Sequence, residues 1–343
     1  MELTTAKIIL LADFKVSPDT NFWLKKELEK LGYQPVLKGI QNYNVKDESG
    51  TFGKIRMWAK YFTLAKLGIK SSGKDDIIIT DNFVIGAITA FICSVRNKKR
   101  KIIALNMIAH NKGLLNSMLR KLIYNRAFKY KTFWFSVNDE QLIEPYAKEF
   151  KFPKSRIFIL HDPFYEADER EDYKDAGDYV FTGGDAYRDW KGVVNSAREL
   201  PAIKFVGVAR HKYFPHELKL PDNLTMHFDT SSDTFYSLLK QSKIVFLPLN
   251  SMAPCGLIVM MKAALLSKPV IITETPSTQN YIKDKVSGRL IKMSDEEQMK
   301  AAITELYQSA DKRVTYTSYL KDYILQNFST EKNAAIINKI ILA

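Results

Sequence analysis

The residues best placed to do chemistry in this 343-residue chain lie in its second half. One group is Gly183-Gly184-Asp185-Ala186-Tyr187-Arg188-Asp189-Trp190-Lys191-Gly192, and the other runs from Pro254-Cys255-Gly256 to Lys268-Pro269-Val270. Each sets glycine at the end of an apolar, strand-like run and just before a helical one. At such a junction backbone N–H groups and the positive end of a helix dipole converge, which suits an anion. Arg188 and Lys191 add side chains that neutralise a diphosphate. Two such helix starts, about seventy residues apart in a βαβα pattern, read as one diphosphate site built from two loops. That points to an enzyme of nucleotide sugars.

The elements around these motifs alternate regularly. Tyr179–Thr182, Ile203–Val208, Leu224–Phe228, Ile244–Leu247 and Val270–Thr273 are short apolar strands. Helices near Trp190–Leu200, Asp233–Gln241, Leu257–Leu266 and Thr278–Lys283 separate them. Strand–helix alternation at this spacing predicts a parallel sheet covered on both faces, with ligands beyond the carboxyl ends of its strands. The first half repeats the pattern. Strands are expected at Lys7–Leu11, Gln34–Leu37, Asp76–Thr80, Lys101–Leu105, Thr132–Val137 and Arg156–Leu160, and helices at Asn21–Leu31, Trp58–Leu67, Ile85–Val95 and Asp139–Phe150. Gln41–Gly53 reads as a polar loop, Glu166–Asp178 as the linker, and the chain from Glu296 onward as helical.

An apolar content of 46% and a charged content of 26% mark a globular α/β chain long enough for two cores. Cys93 and Cys255 both lie in apolar surroundings, so neither a metal-ligand pair nor a disulfide framework is expected, which fits a reducing cytoplasm. The run Lys7–Ala12 turns polar at Asp13 and does not read as a signal peptide. Phe83–Val95 is too short to span a bilayer.

The net charge of +13 belongs to the first half. Residues 1–165 hold 28 basic against 15 acidic side chains, while the remainder carries 23 of each. No acidic residue occurs between Asp81 and Asp139, where Arg96, Lys98, Lys99, Arg100 and Lys101 form a cluster and Lys112, Arg120, Lys121, Arg126, Lys129 and Lys131 follow. A field of one sign asks for a partner of the other. Leu114, Leu115, Met118, Leu122, Ile123, Ala127 and Phe128 recur at helical spacing beside Arg120 and Lys121. Such a helix suits an anionic membrane surface, at about 1 kcal/mol per basic residue. The same run equally suits a core-facing helix with a solvated basic face. No zinc finger, aromatic RNA-binding motif or helix-turn-helix pattern accompanies the charge, so nucleic acid is not expected as a partner.

Taken together, Gly183-Gly184-x-x-x-Arg188-Asp189-Trp190-Lys191-Gly192, Lys243–Pro248, Gly256 through Lys268-Pro269 to Thr273, and Tyr281-Ile282-x-Asp284-x-x-x-Gly288 occur in an order that resembles one family. The chain looks like a GT-B glycosyltransferase of the large retaining class that uses nucleotide-sugar donors, similar to glycosyltransferase family 4 and to its bacterial surface-glycan members. The resemblance covers about residues 180 to 295. It implies an α/β, GT-B fold of two Rossmann-like doubly wound parallel-sheet domains facing a cleft. Residues 1–165 then bind the acceptor and residues 166–319 the donor, with a C-terminal helix of about 320–343 packing back on the first domain.

By position, the resemblance gives Arg188 and Lys191 the diphosphate grip, and Gly183, Gly184, Cys255, Gly256 and Leu257 the loops around it. Charge that develops on the departing β-phosphate is stabilised by such fixed cations. Thr230 and Ser231, on the loop after Leu224–Phe228, are expected beside the nucleobase or ribose. Many relatives carry two glutamates around the second glycine loop; here those positions fall near Ala253 and on Met261 or Lys262. Lys262 can only donate where a glutamate accepts, so it either binds ribose or phosphate oxygens or reaches to solvent at the helix edge. His110, after the Lys101–Leu105 strand, is the candidate to orient acceptor or sugar, with Asp13, Asp81, His161 and Asp162 behind it. A structural histidine fits the same position.

The resemblance therefore implies transfer of a sugar from a UDP- or GDP-type donor to a glycan or lipid-linked acceptor, with retention, in polysaccharide or glycolipid biosynthesis at the inner face of the plasma membrane. No metal and no cofactor are implied. The departures at the glutamates leave open a non-catalytic relative acting as partner or scaffold, and the oligomeric state is open.

Overall fold

The computed structural model describes residues 6–40, 50–107, 114–165, 168–174, 177–185 and 187–343. The chain forms two compact units, one from Met1–His161 with Thr330–Ala343, the other from Asp162–Ser329.

The first unit is built from β1 (Ile8–Ala12), α1 (Trp23–Lys30), β2 (Val36–Gly39), α2 (Gly50–Lys70), β3 (Ile77–Thr80), α3 (Phe83–Val95), β4 (Lys101–Ala104), α4 (Leu114–Ala127), β5 (Phe133–Val137), α5 (Ile143–Phe150) and β6 (Ile157–Ile159). Its six strands pair in the order β2-β1-β3-β4-β5-β6, all parallel. Successive residues of β1 alternate between faces: Ile9 and Leu11 join a core with α2 and α3, while Ile8 and Leu10 join one with α1. A strand apolar at every position is what a doubly covered sheet requires. Each fully buried aliphatic side chain contributes about 1.5–3 kcal/mol.

The second unit comprises β7 (Tyr179–Gly183), α6 (Trp190–Glu199), β8 (Lys204–Ala209), β9 (Leu224–Phe228), α7 (Ser232–Lys240), β10 (Ile244–Leu247), α8 (Leu257–Leu265), β11 (Val270–Thr273), α9 (Pro276–Gln279), β12 (Arg289–Ile291), α10 (Glu296–Gln308) and α11 (Ala310–Asn327). Its parallel sheet has the order β12-β11-β10-β7-β8-β9. Again β10 sends Val245 and Leu247 to one core and Ile244 and Phe246 to the other.

Helix α12 (Thr330–Leu342) closes the first unit. Its Ile337 and Ile341 are buried with Leu24 and Leu28 of α1. Asn338 Oδ1 accepts from Tyr33 Oη at 2.7 Å, and Thr330 Oγ1 donates to Glu27 Oε1 at 3.1 Å. The returning helix was expected from about residue 320. Instead Leu320, Ile324 and Phe328, one helical turn apart, are buried in the α8 core of the second unit, and the return starts at Thr330.

Two further expectations are corrected, and one strand is new. The Gln41–Gly53 loop is cut short, because α2 already begins at Gly50; residues 41–49 lie outside the described residues. The helix expected near Thr278–Lys283 is shorter and starts earlier: α9 runs Pro276–Gln279, begun by a Thr275/Thr278 capping box. Strand β12, only three residues long, was not foreseen.

The basic cluster divides. Arg96, Lys98 and Lys99 are exposed, as is Lys121, and Arg120 is half-buried. Arg100 and Lys101 turn inward and leave the expected membrane-facing set. Arg100 is buried, its Nε and Nη2 donating to Ser72 Oγ at 3.0 Å and Ser72 O at 2.8 Å. Lys101 Nζ donates to Ile341 O at 3.1 Å, where the α12 dipole favours a cation, and lies 5.8 Å from the Trp134 ring.

Candidate active site

In the second sheet the chain reverses its winding between β7 and β10, so loops leaving these neighbours part in opposite directions and open a crevice at the carboxyl edge. The two glycine motifs meet there. Arg188 forms an isolated antiparallel bridge with Leu249. Asp189 N donates to Pro248 O at 2.9 Å and Asn250 N to Tyr187 O at 3.0 Å. Leu249 N is held in turn by Thr273 Oγ1 at 2.7 Å.

Arg188 lies between the loops and is 4% exposed. Its Nη2 donates to Gly183 O at 2.6 Å and its Nη1 to Pro248 O at 3.3 Å. Among the described residues no carboxylate pairs with it, and its buried Nε has no partner. Burial pushes its pKa down to about 10, against the opposing pull of Cys255, so the group stays charged at neutral pH. Cys255 is buried alongside, its thiol pushed up to about 11 by desolvation. Both glycines that face the guanidinium need their type. Gly184 has φ +117° and a Cβ there would sit 3.1 Å from Arg188 Nη2; Gly256, at φ +76°, begins α8. No described side chain caps α8, so its first N–H groups are open to a ligand. Leu257 itself is buried core and offers only its backbone.

Lys191 stands exposed in the first turn of α6, behind the N-cap Asp189, whose Oδ1 accepts from Gly192 N at 2.9 Å. A cation there opposes the helix dipole, at a cost of about 0.3–1 kcal/mol. The position gains nothing for the fold and suits an anion in front of it.

Beside this crevice, past β7, β8 and β9, opens a pocket of about 220 Å³. Gly184, Arg210, Thr230, Phe235, Tyr236 and Val259 are among its lining residues. Gly183 lets the wall close: a Cβ there would fall 2.6 Å from the Phe235 ring. Thr230 and Ser231 both line the pocket. Ser231 Oγ is engaged as the N-cap of α7, accepting from Thr234 N at 3.2 Å. At the rim Arg210 Nε pairs with Asp185 Oδ2 at 2.7 Å.

Lys262 is half-buried, and the structure gives it a partner that neither expectation named. Its ammonium pairs with Asp168 and lies 5.3 Å from the centre of the Tyr236 ring. Asp168 Oδ2 accepts from Tyr165 N at 2.9 Å. An acid from the segment before β7 thus reaches α8 at the position where the resemblance implies a glutamate. Ninety-four residues separate the pair, so no local motif shows it. Phe235 and Tyr236 were equally hidden, because α7 reads as an ordinary amphipathic helix.

In the first unit His110 lies outside the described residues. Asp13 and Asp81 sit together at the strand ends: Asp13 N donates to both carboxylate oxygens of Asp81, at 3.1 and 3.3 Å, and Asn82 Nδ2 to Asp13 Oδ2 at 2.8 Å. Burial, then the charge of Asp13, holds the Asp81 carboxyl well above the usual range. His161 is depressed by burial, and its carbonyl accepts from Asn333 Nδ2 at 2.8 Å. Asp162, also raised by burial, belongs to the second unit, where its N–H donates to Tyr281 Oη at 2.9 Å.

Residues 204–322 match the family model described as glycosyl transferases group 1. No curated protein matches the chain. Among solved structures, Anabaena Alr3699/HepE in complex with UDP-glucose is similar at a TM-score of 0.72 and 13% identity, covering 97% of this chain and 98% of that one. A Rickettsia africae glycosyltransferase gives 0.70 and 15%, over 98% of each chain. The sucrose-phosphate synthase of Thermosynechococcus elongatus gives 0.71 and 12%, over 97% and 98%. The protein is an enzyme of the glycosyltransferase class in the GT-B fold, and its second unit holds the group 1 domain. Among the described residues no helix is long and apolar enough to cross a membrane.

Proposed function

We propose that the protein transfers a sugar from a nucleoside-diphosphate donor, with retention, to a glycan or lipid-linked acceptor. The observation that carries this reading is Arg188, a buried cation without a carboxylate among the described residues, set between two glycine loops and an uncapped helix start. The diphosphate lies against Arg188, Lys191 and the first N–H groups of α8. The nucleoside then falls in the pocket between β8, β9 and α7. The UDP-glucose bound to the Anabaena neighbour favours a UDP-type donor.

As the bond from the anomeric carbon to the β-phosphate oxygen breaks, charge grows on that phosphate and the preorganised cations stabilise it. The acceptor hydroxyl attacks on the face the phosphate leaves, and its proton passes to the phosphate. Cationic side chains and the helix start take the place of a metal in this reading, so activity in EDTA should equal that in buffer.

For the acceptor, the exposed face of the first unit supports a peripheral seat on the cytoplasmic leaflet. Leu122 is 62% exposed beside Lys121 and Arg126 on α4, and Val95 is 59% exposed beside Arg96, Lys98 and Lys99 at the end of α3. Flotation with anionic but not zwitterionic liposomes, lost at high salt, is the expected result.

The first test is a thermal-shift panel of UDP, GDP, ADP and their sugar conjugates. A ligand at a hundred times its Kd should stabilise the fold by about 2.7 kcal/mol. A shift with one base, lost in Lys191→Ala and Arg188→Met, is expected; no shift with any nucleotide would leave a scaffold role instead.

A further inference from the structure

The second unit has another, larger hollow that the donor site does not use. It measures about 560 Å³ and lies between the segment after β11 and the outer side of α11. Tyr319 and Tyr323 form one wall, with Tyr281 and Ile282 among the residues opposite; Glu274, Gln279 and Asp284 supply most of the polar groups.

Tyr319 and Tyr323 are 59% and 44% exposed, high for aromatic side chains. They stand four residues apart on one helix face, about 6 Å along the axis. That spacing is close to the length of one pyranose residue. Tyrosine offers an apolar face for the C–H side of a sugar and a hydroxyl for its edge. Glu274 Oε1 accepts from Gln279 Nε2 at 2.6 Å, which fixes a carboxylate–amide pair able to accept from and donate to vicinal hydroxyls. Asp284 Oδ1 is already committed to Arg289 Nε and Leu290 N, at 3.1 and 2.9 Å, and shapes the rim.

Charge narrows the occupant. Asp284 is answered by Arg289, and Glu274 and Lys283 balance around the hollow, so its lining carries no excess of either charge. A nucleoside diphosphate or an anionic lipid headgroup finds no surplus of cations there to hold it, whereas a neutral sugar needs none. Position narrows it further. In the order β12-β11-β10-β7-β8-β9 the nucleoside pocket lies by β8 and β9 and the diphosphate crevice by β7 and β10, and the next strand along is β11, whose carboxyl end carries Glu274. Strands about 4.8 Å apart place this hollow some three strands beyond the nucleoside.

We propose that this hollow is a subsite for a neutral sugar residue of a glycan, distinct from the donor site. The proposal rests on the glycosyl-transfer reading above, and one experiment separates the two. Full-length protein is titrated by calorimetry with maltotetraose, cellotetraose, chitotetraose and, as an anionic control, tetragalacturonate, while UDP is followed by thermal shift. At least one neutral tetrasaccharide should bind, and Y319A/Y323A should weaken it at least tenfold. Glu274→Gln should leave the UDP shift in place and weaken the sugar. Y319A/Y323A should also keep the wild-type UDP shift, which certifies its fold. Failure of every neutral probe to bind, unchanged binding in the double variant, or preference for tetragalacturonate overturns the subsite. Loss of the UDP response in the wild-type protein overturns the donor reading instead.

Discussion

Replacing Arg188 by methionine tests whether this side chain serves ligand or fold. A pKa lowered from 12.5 to about 10 corresponds to about 3 kcal/mol of unfavourable surroundings for the charged form. The guanidinium returns part of its worth through two carbonyls, yet its Nε is left over and no described carboxylate answers it. An apolar chain of similar length removes the buried charge, and the gain is offset by about 1–3 kcal/mol because the carbonyls of Gly183 and Pro248 lose their donor. Arg188→Met should therefore leave the melting temperature of the unliganded protein within a few degrees of wild type, at about 2–4 °C per kcal/mol. Nucleotide binding should move the other way. Losing a charge-assisted contact to phosphate removes about 1.5–3 kcal/mol, roughly 10- to 150-fold in Kd. Scanning calorimetry with and without UDP reads both effects. A variant that melts well below wild type yet binds UDP as tightly would show that Arg188 is a strut between the loops, and the reasoning would fail.

Other outcomes follow from the same geometry. A double-mutant cycle of Asp168→Asn and Lys262→Met should give a coupling of about 1–3 kcal/mol in urea unfolding, less than the roughly 3–5 kcal/mol lost on breaking a fully buried pair. A coupling near zero would make the contact incidental. Gly183→Ala forces a Cβ against the Phe235 ring and should cost about 1–3 kcal/mol together with weaker nucleotide binding. Asp81→Asn should stabilise the protein at neutral pH. The raised Asp81 pKa means that the folded state holds this proton more tightly, so wild-type stability is greatest below the ordinary carboxylate pKa and falls as pH rises through the raised one. The advantage of the variant should accordingly vanish at about pH 3, where Asp81 is protonated in both states; melting curves across pH check it.

Much of this was legible in the chain because α/β layers write themselves in simple periods. Runs such as Ile244–Leu247, apolar at every position, and Val270–Thr273, apolar up to its last residue, admit hardly any reading but a doubly covered strand. Glycines before helical runs likewise marked the crevice, since a positive φ at Gly184 and Gly256 leaves few other residue types. Side-chain direction was not legible. Lys99 and Arg100 are adjacent and alike in charge, yet one faces water and the other lies buried against Ser72. Long-range pairing was also hidden. Lys262 finds its acid in a linker segment, and α11 chooses α8 over the first unit through three residues that any amphipathic helix can carry.

The return of α12 sets an order of events during synthesis. Domains ordinarily fold as they leave the ribosome, the first before the second. Here the first unit lacks Ile337 and Ile341 until the final stretch of the described chain has been made, while residues 162–329 are continuous and can close their core earlier. The later-encoded unit is thus free to mature first, and the earlier one must wait with the α1 side of its sheet only partly covered. A nascent chain stalled before Thr330 should present that apolar face to chaperones, and a stop codon there should yield a folded second unit beside a protease-sensitive first.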